Sequence, residues 1–196
     1  GMTQAAYKRS GLRAYFDDAV AARAETAAVI EQSFDPVARL IALLDCTVER
    51  TVEIAREPDG SAYFAGIIRN SNNGLALHAD FAPYQAPLFA VSAVDAQLAW
   101  NFYAETPAEG GVTTLHNAMW NWTRSSPGEV AENYPLDESL VAGAQTWSFQ
   151  PNAGEAVLFN TRNPHLVAPV VAGDRDRLAM AAFVGRLPQG NLVVWS

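Results

Sequence analysis

Hydrophobic residues change their spacing along the chain near residue 48, and this change divides the predicted secondary structure into two parts. Between residues 12 and 45 the apolar residues recur at intervals of three and four, which is typical of helices. Asp35-Pro36 predicts the start of the second of two helices, because aspartate caps a helix N-terminus and proline fits its first turn. After Glu49 the spacing becomes two, which predicts β-strands.

Short apolar segments separated by glycine- and proline-containing turns predict the strands. They cover residues 51–55, 62–69, 96–103, 112–119, 147–149, 156–160, 166–171 and 177–184. A polar stretch over residues 121–138 predicts a long loop or lid. Many short strands joined by such turns favour a sandwich or jelly roll. We therefore predict one domain, residues 1–196, in which N-terminal helices (about 12–45) pack on a mainly β jelly roll (about 47–196).

Composition and charge narrow the classes of partner. The 196 residues carry a formal net charge of −8, so neither nucleic acid nor a membrane is expected as a partner, since both need a basic face. A small-molecule substrate and a homo-oligomer both remain open. Cys46 is the single cysteine, and there is no signal segment and no apolar run near 18 residues. These features predict a cytoplasmic protein, in which Gly1 before Met2 is interpreted as a remnant of tag removal.

Two polar residues after the second predicted strand provide candidate chemistry. His78 and Asp80 would share one face of extended backbone, with their Cα atoms roughly 6.6 Å apart. An imidazole and a carboxylate suit a divalent metal, and a second histidine would complete the two-histidine, one-carboxylate set of non-haem iron oxygenases. Alone, so short a pattern indicates an ordinary strand or loop. The other histidines, His116 and His165, are the candidates for the third ligand.

Two arginines near the last predicted strand are candidates for binding a carboxylate. If this strand starts at Arg177, then Arg177, Ala179 and Ala181 share a face. An arginine followed by two small residues supplies a planar bidentate donor and leaves room for a ligand. Arg175 is the alternative, although its two neighbouring aspartates are more typical of a solvated turn.

These residues together resemble the Fe(II)- and 2-oxoglutarate-dependent oxygenases, and the prolyl-hydroxylase-like branch in particular. The resemblance runs from about Phe64 to Gly185. It rests on the ordered set His78-x-Asp80, Asn101, Gly110-Gly111-Val112-Thr113, His165, Pro169-Val170, Gly173 and Arg177. The chain departs from the branch where a tyrosine should precede Asn101, because Leu98-Ala99-Trp100 stand there.

The resemblance implies a double-stranded β-helix, a cupin-like jelly roll, in which His78, Asp80 and His165 bind Fe(II) as the catalytic centre. It implies 2-oxoglutarate and O2 as co-substrates, with ascorbate as an optional reductant. The implied reaction is oxidative decarboxylation of 2-oxoglutarate coupled to hydroxylation of an unactivated C–H bond in a small molecule, with desaturation or ring closure, and a peptide or protein side chain as substrate, as open alternatives. The residues implied to bind 2-oxoglutarate are Arg177, which we favour over Arg175, together with Asn101 and Thr113.

Several interpretations stay open beside this one. Arg69, Tyr84 and Trp120 are candidates for contact with the substrate, although buried aromatics usually belong to the core. We expect His116 to pack or to hydrogen-bond. The alternative function is a cupin-type metal enzyme, or a metal-binding jelly roll that does not use 2-oxoglutarate. A cupin usually has H-x-H and a later glutamate, which this chain lacks. Asp80 further predicts a hydroxylase, because the halogenating members of the resembled family lack this carboxylate.

Overall fold

The structure, a computed structural model, describes residues 11–120, 135–173 and 175–196. Helix α1 (Gly11–Ile30) and helix α2 (Pro36–Thr47) precede the strands, as the apolar spacing predicts. The Asp35 carboxylate accepts hydrogen bonds from the backbone N–H groups of Val37 and Ala38, at 2.9 and 3.0 Å, and is therefore the predicted N-cap. Most of the predicted lid, residues 121–134, lies outside the described residues.

The strands of the described ranges mostly follow the predicted segments. They are β1 (Val52–Ile54), β2 (Ile67–Asn70), β3 (Leu75–His78), β4 (Ala96–Glu105), β5 (Glu109–Gly110), β6 (Thr113–His116), β7 (Thr146–Phe149), β8 (Ala156–Asn160), β9 (His165–Val167), β10 (Val170–Ala172), β11 (Leu178–Arg186) and β12 (Leu192–Trp195). A short helix α3 (Ala82–Gln85) follows β3. The predicted segment 166–171 is divided into β9 and β10 at Pro169, which has no N–H to donate. The apolar pattern did not predict β3, β5 or β12.

The strands form two main sheets, and these make the predicted jelly roll. The large sheet has the order β1-β12-β11-β4-β8, and β2 pairs with β11 beside β12. The small sheet has the order β3-β9-β6-β7, with antiparallel pairing throughout. Among the described helices, none combines the length and the apolar composition that crossing a bilayer requires.

Strand β11 separates the helix-covered core from a cavity between the sheets. On one face, Met180 and Val184 pack with Val37 and Leu40 of helix α2. On the other face, Ala181 and Phe183 line the cavity. Because successive residues of a strand point to opposite faces, one strand both anchors the helix and forms the wall of the candidate site.

Candidate active site

The two histidines and the carboxylate of the predicted set lie together in this cavity. His78 ends β3 and His165 begins β9, directly opposite each other in the antiparallel register, with ring centroids 4.1 Å apart. Asp80 Oδ2 lies 3.9 Å from His78 Nε2 and 3.8 Å from His165 Nε2. The three residues offer one ligand atom each within 4.8 Å of the others, which is the spacing of a site for a single ion.

Backbone carbonyls hold both imidazole rings in the orientation that a metal needs. His78 Nδ1 donates to the Ala76 carbonyl at 2.7 Å, and His165 Nδ1 donates to the Asn163 carbonyl at 3.0 Å. A carbonyl can only accept, so each Nδ1 carries a proton, and in a neutral ring the lone pair is then on Nε2, which faces the site. Two such nitrogens and one carboxylate fit Fe(II) with open positions for substrates.

His165 is nearly fully buried, and its burial determines its charge. Burial lowers the pKa of His165 to about 4, and the neighbouring His78 adds to this effect, while Asp80 opposes it. The ring is therefore neutral at neutral pH. Neutral imidazole is the form that binds a metal, so no proton has to be displaced from His165 when the ion binds.

We expect the metal-free protein to lose stability as the pH falls from 6.5 to about 4, because of His165. In this window the ring takes up a proton in the unfolded chain but stays neutral in the folded one, so acid favours the unfolded state. The free energy of unfolding should decrease by roughly 3 kcal/mol at most. Urea denaturation with a chelator present measures this decrease. A His165→Asn variant should show a shallower pH dependence, and equal slopes for the two proteins would contradict the assignment.

Arg177 lies at another part of the same cavity and is 5% exposed. Its Nε donates to the Gly111 carbonyl at 3.0 Å, Nη1 to Ser71 Oγ at 2.7 Å and Nη2 to Thr113 Oγ1 at 2.9 Å. All three acceptors are uncharged, and no ion pair in the described ranges includes Arg177. A buried guanidinium without a protein carboxylate is a suitable anchor for the carboxylate of a ligand.

Arg177 and Ala181 both line the cavity, so they lie on one face as the alternation along the strand predicts. The strand itself begins one residue later than predicted, at Leu178. In the register of β11 with β4, Ala179 lies opposite Tyr103 and Ala181 opposite Asn101. Asn101 and Thr113 line the cavity with Arg177, and their binding of 2-oxoglutarate stays a prediction. Arg175 is exposed and does not belong to the described lining.

Tyr103 is a cavity residue that the sequence analysis did not identify. It is 1% exposed, its hydroxyl lies 3.5 Å from Arg177 Nη2, and its ring lies 5.2 Å from the guanidinium. Burial raises the pKa of the hydroxyl, against the opposing charge of Arg177, so it keeps its proton. The sequence did contain a signal for it: Tyr103 follows Asn101 by two residues, and alternate residues of a strand share a face, so a cavity position for Asn101 predicts one for Tyr103.

The cavity is partly open to solvent and encloses a volume of about 60 Å³. Of the three predicted substrate residues, Arg69 lines it. Tyr84 and Trp120 do not belong to the described lining. Their rings pack edge to face at 5.2 Å in a separate apolar cluster with Leu77 and Phe81, and their contact with substrate stays a prediction.

His116 lies apart from the ligand set. Its neighbour Leu115 pairs with His165 across the small sheet, so the side chain of His116 projects from the opposite face. Both of its ring nitrogens are buried, and neither has a hydrogen-bond partner within the described part of the chain. His116 therefore packs but is not placed to bind the metal with Asp80.

A jelly roll that brings two histidines, a carboxylate and a buried arginine, which forms no ion pair among the described residues, to one cavity defines an Fe(II)- and 2-oxoglutarate-dependent oxygenase. Comparison with known proteins agrees with this class. Residues 4–194 match the family described as carrier-protein-independent halogenase WelO5, and the chain belongs to this family. The protein is thus an enzyme whose cofactor is Fe(II) and whose co-substrates are 2-oxoglutarate and O2, as the resemblance implied.

Two relatives and one solved structure illustrate the similarity. The chain is 30% identical over 193 residues to leucinostatins biosynthesis cluster protein S of Purpureocillium lilacinum, covering 93% of this chain and 79% of that protein. It is 37% identical over 139 residues to L-gamma-glutamyl-L-propargylglycine hydroxylase of Streptantibioticus cattleyicolor, covering 70% of this chain and 50% of that protein. The fold is similar to an N-substituted L-amino acid dioxygenase of Burkholderia ambifaria, with TM-score 0.61, 13% identity and coverage of 93% and 68%.

Proposed function

We propose that this protein hydroxylates an unactivated C–H bond in an amino-acid-derived small molecule, with conversion of 2-oxoglutarate and O2 to succinate and CO2. The observation that carries this proposal is Asp80, whose carboxylate lies within 4 Å of both histidine Nε2 atoms. The matching family is named after a halogenase. Halogenating members lack this carboxylate, so that halide can bind the metal in its place. Asp80 occupies that position here.

The residues of the cavity have separate roles in this reaction. His78, Asp80 and His165 would bind Fe(II), which supplies the activation of O2. Arg177 would pair with the distal carboxylate of 2-oxoglutarate, while Thr113 and Tyr103 hold the guanidinium. This pairing would fix the direction of the co-substrate, so that its keto-acid end would be turned toward the two histidines and the carboxylate.

The position of Arg69 supports the proposal that the substrate carries a carboxylate. It extends from β2 into the cavity, in the strand register beside Ala179, and lines the same space as His78 and Asp80. Since Arg177 is assigned to 2-oxoglutarate, Arg69 supplies the second cationic group of the described lining and would bind the carboxylate of an amino-acid-like molecule. The relative that hydroxylates a glutamyl amino acid is consistent with such a substrate.

The experiment that tests the proposal is an anaerobic reconstitution with Fe(II), followed by exposure to O2 with 2-oxoglutarate and a panel of amino acids and dipeptides. Mass spectrometry should detect succinate and one product heavier than its substrate by one oxygen atom. Iron binding without consumption of 2-oxoglutarate would favour the alternative, a cupin-type enzyme. Neither iron binding nor consumption would indicate a non-catalytic jelly roll.

We expect the product in chloride-containing buffer to be hydroxylated and not chlorinated, because Asp80 takes the ligand position that halide would need and 2-oxoglutarate and O2 would take the others. An Asp80→Gly variant should lose hydroxylation by more than about a hundredfold, since even an outer partner of a metal ligand is worth about 10–100-fold. Mass spectrometry of the products distinguishes the two outcomes. Efficient chlorination by the unaltered protein would overturn this prediction.

A further inference from the structure

An aromatic pair lies at the edge of the small sheet on the same face as the metal ligands. Strands β3 and β7 are the two edges of this sheet, with β9 and β6 between them. The register aligns His78 with His165, His165 with Leu115, and Leu115 with Trp147. Cross-strand partners of an antiparallel sheet project to the same face, so Trp147 continues the row that the two histidine ligands begin.

Trp147 is exposed although it lies in this row. Its side chain is 58% exposed, and it belongs to none of the buried apolar clusters in the described ranges. The ring of Phe149 lies 4.9 Å away at a tilt of 30°. Phe149 in turn is opposite Thr113, the residue that accepts a hydrogen bond from Arg177. The pair therefore forms an exposed apolar surface on the face of the small sheet that carries the two histidine ligands, and core packing among the described residues does not explain it.

The distance of this pair from the ligands limits what can reach it. Neighbouring strands lie about 4.8 Å apart, so the strand of Trp147 is about 10 Å from that of His165. One residue of extended chain spans only about 3.5 Å. A free amino acid whose reacting carbon is at the metal covers only a small part of this distance. A substrate with an additional apolar group is long enough.

The position of Arg69 gives the direction in which such a substrate would lie. Arg69 is on β2, and the chain passes from β2 through the turn at residues 71–74 into β3, the edge of the small sheet opposite β7. A molecule that binds Arg69 through its carboxylate and Trp147 through an apolar group would cross the row of metal ligands. Its reacting C–H bond would then lie between the two contacts.

We propose that Trp147 and Phe149 bind an apolar extension of the prime substrate, which is an amino acid carrying an amide-linked apolar group and not a free amino acid. This inference rests on the proposed function, because it takes the reacting carbon to be at the Fe(II) site. In this proposal the aromatic pair determines the specificity of the enzyme for extended over free amino acids. The amide-linked group can come from an acyl chain or from a second amino acid.

The test uses three probes: L-leucine, N-acetyl-L-leucine and N-hexanoyl-L-leucine. The two acylated probes both lack the ammonium group and differ only in apolar length. Calorimetric titration of the anaerobic protein with Fe(II) and 2-oxoglutarate measures their dissociation constants, and succinate formation in O2 measures turnover. The hexanoyl probe should bind about tenfold more tightly than the acetyl probe, because about two of its four additional methylene groups would be removed from water at an aromatic pair that stays partly exposed.

Variants show which residues cause the difference in affinity between the hexanoyl and acetyl probes. Trp147→Ala should remove most of the tenfold preference, Phe149→Ala part of it, and Trp147→Phe should keep most of it, while the KM for 2-oxoglutarate stays within about twofold. Leu158→Ala is the matched control, because Leu158 is also exposed, at 41%, but lies on the face of β8 opposite the cavity residue Phe159. It should change nothing.

Three results would overturn the proposal: equal binding of the two acylated probes, an unchanged preference in Trp147→Ala, or no binding of either acylated probe. The calorimetric measurement does not depend on turnover. If the hexanoyl preference and its loss in Trp147→Ala are found without any succinate, the proposed hydroxylation fails while the apolar subsite stands. If succinate forms with L-leucine but the extended probes are not preferred, the proposed hydroxylation stands while the apolar subsite fails.

Discussion

Replacing His165 with alanine should remove Fe(II) binding and reduce 2-oxoglutarate turnover by more than about a hundredfold. The reason is the ligand set, in which His165 supplies a buried, neutral Nε2 whose orientation the Asn163 carbonyl fixes. Even an outer-sphere partner of such a ligand is worth about 10–100-fold in affinity or activity, so the ligand itself should be worth more. Metal analysis after anaerobic loading should give one iron per chain in the unaltered protein and almost none in the variant.

His116→Ala is the matched control for this prediction. His116 is the only histidine outside the ligand set, and its side chain leaves the opposite face of β6. The variant should keep its iron and lose stability only through packing, which a thermal denaturation curve reports separately. If His116→Ala lost iron while His165→Ala kept it, the assignment of the third ligand would be wrong.

Replacing Arg177 with alanine should raise the KM for 2-oxoglutarate by tenfold to a hundredfold, which corresponds to about 1.4–2.7 kcal/mol. The distal carboxylate would otherwise enter a partly dry cavity unpaired, which is costly. Each charge-assisted hydrogen bond from the guanidinium is worth about 1.5–3 kcal/mol. Steady-state kinetics with 2-oxoglutarate as the varied substrate measures the change.

Two further variants make the Arg177 result interpretable. Arg177→Lys keeps the charge but loses the planar fork, so it should recover part of the affinity. It also keeps much of the buried volume, which separates loss of binding from loss of folding. Arg175→Ala should change the KM by less than about threefold, because Arg175 is exposed. A larger rise in KM for Arg175→Ala than for Arg177→Ala would show that the assignment of the anchor to Arg177 is wrong.

The sequence determined the elements and ligands whose signals are local. Asp35-Pro36 begins α2 as predicted, since capping depends on contacts within a few residues. The His78-x-Asp80 pair became a candidate metal site only together with the other motifs of the resemblance, and with only three histidines in the chain few choices remained for the third ligand. The face of Arg177 followed from the alternation of side chains along a strand.

The tertiary structure alone decided which residues complete the site, because those contacts join distant parts of the chain. Ser71 accepts a hydrogen bond from Arg177 across 106 positions, and nothing in the sequence near either residue indicates this pair. Tyr103 enters the cavity through the register between β4 and β11, and Trp147 joins the ligand row through the register of β6 with β7. Alternation predicts which residues of one strand share a face, but only strand pairing determines which residues of other strands lie beside them.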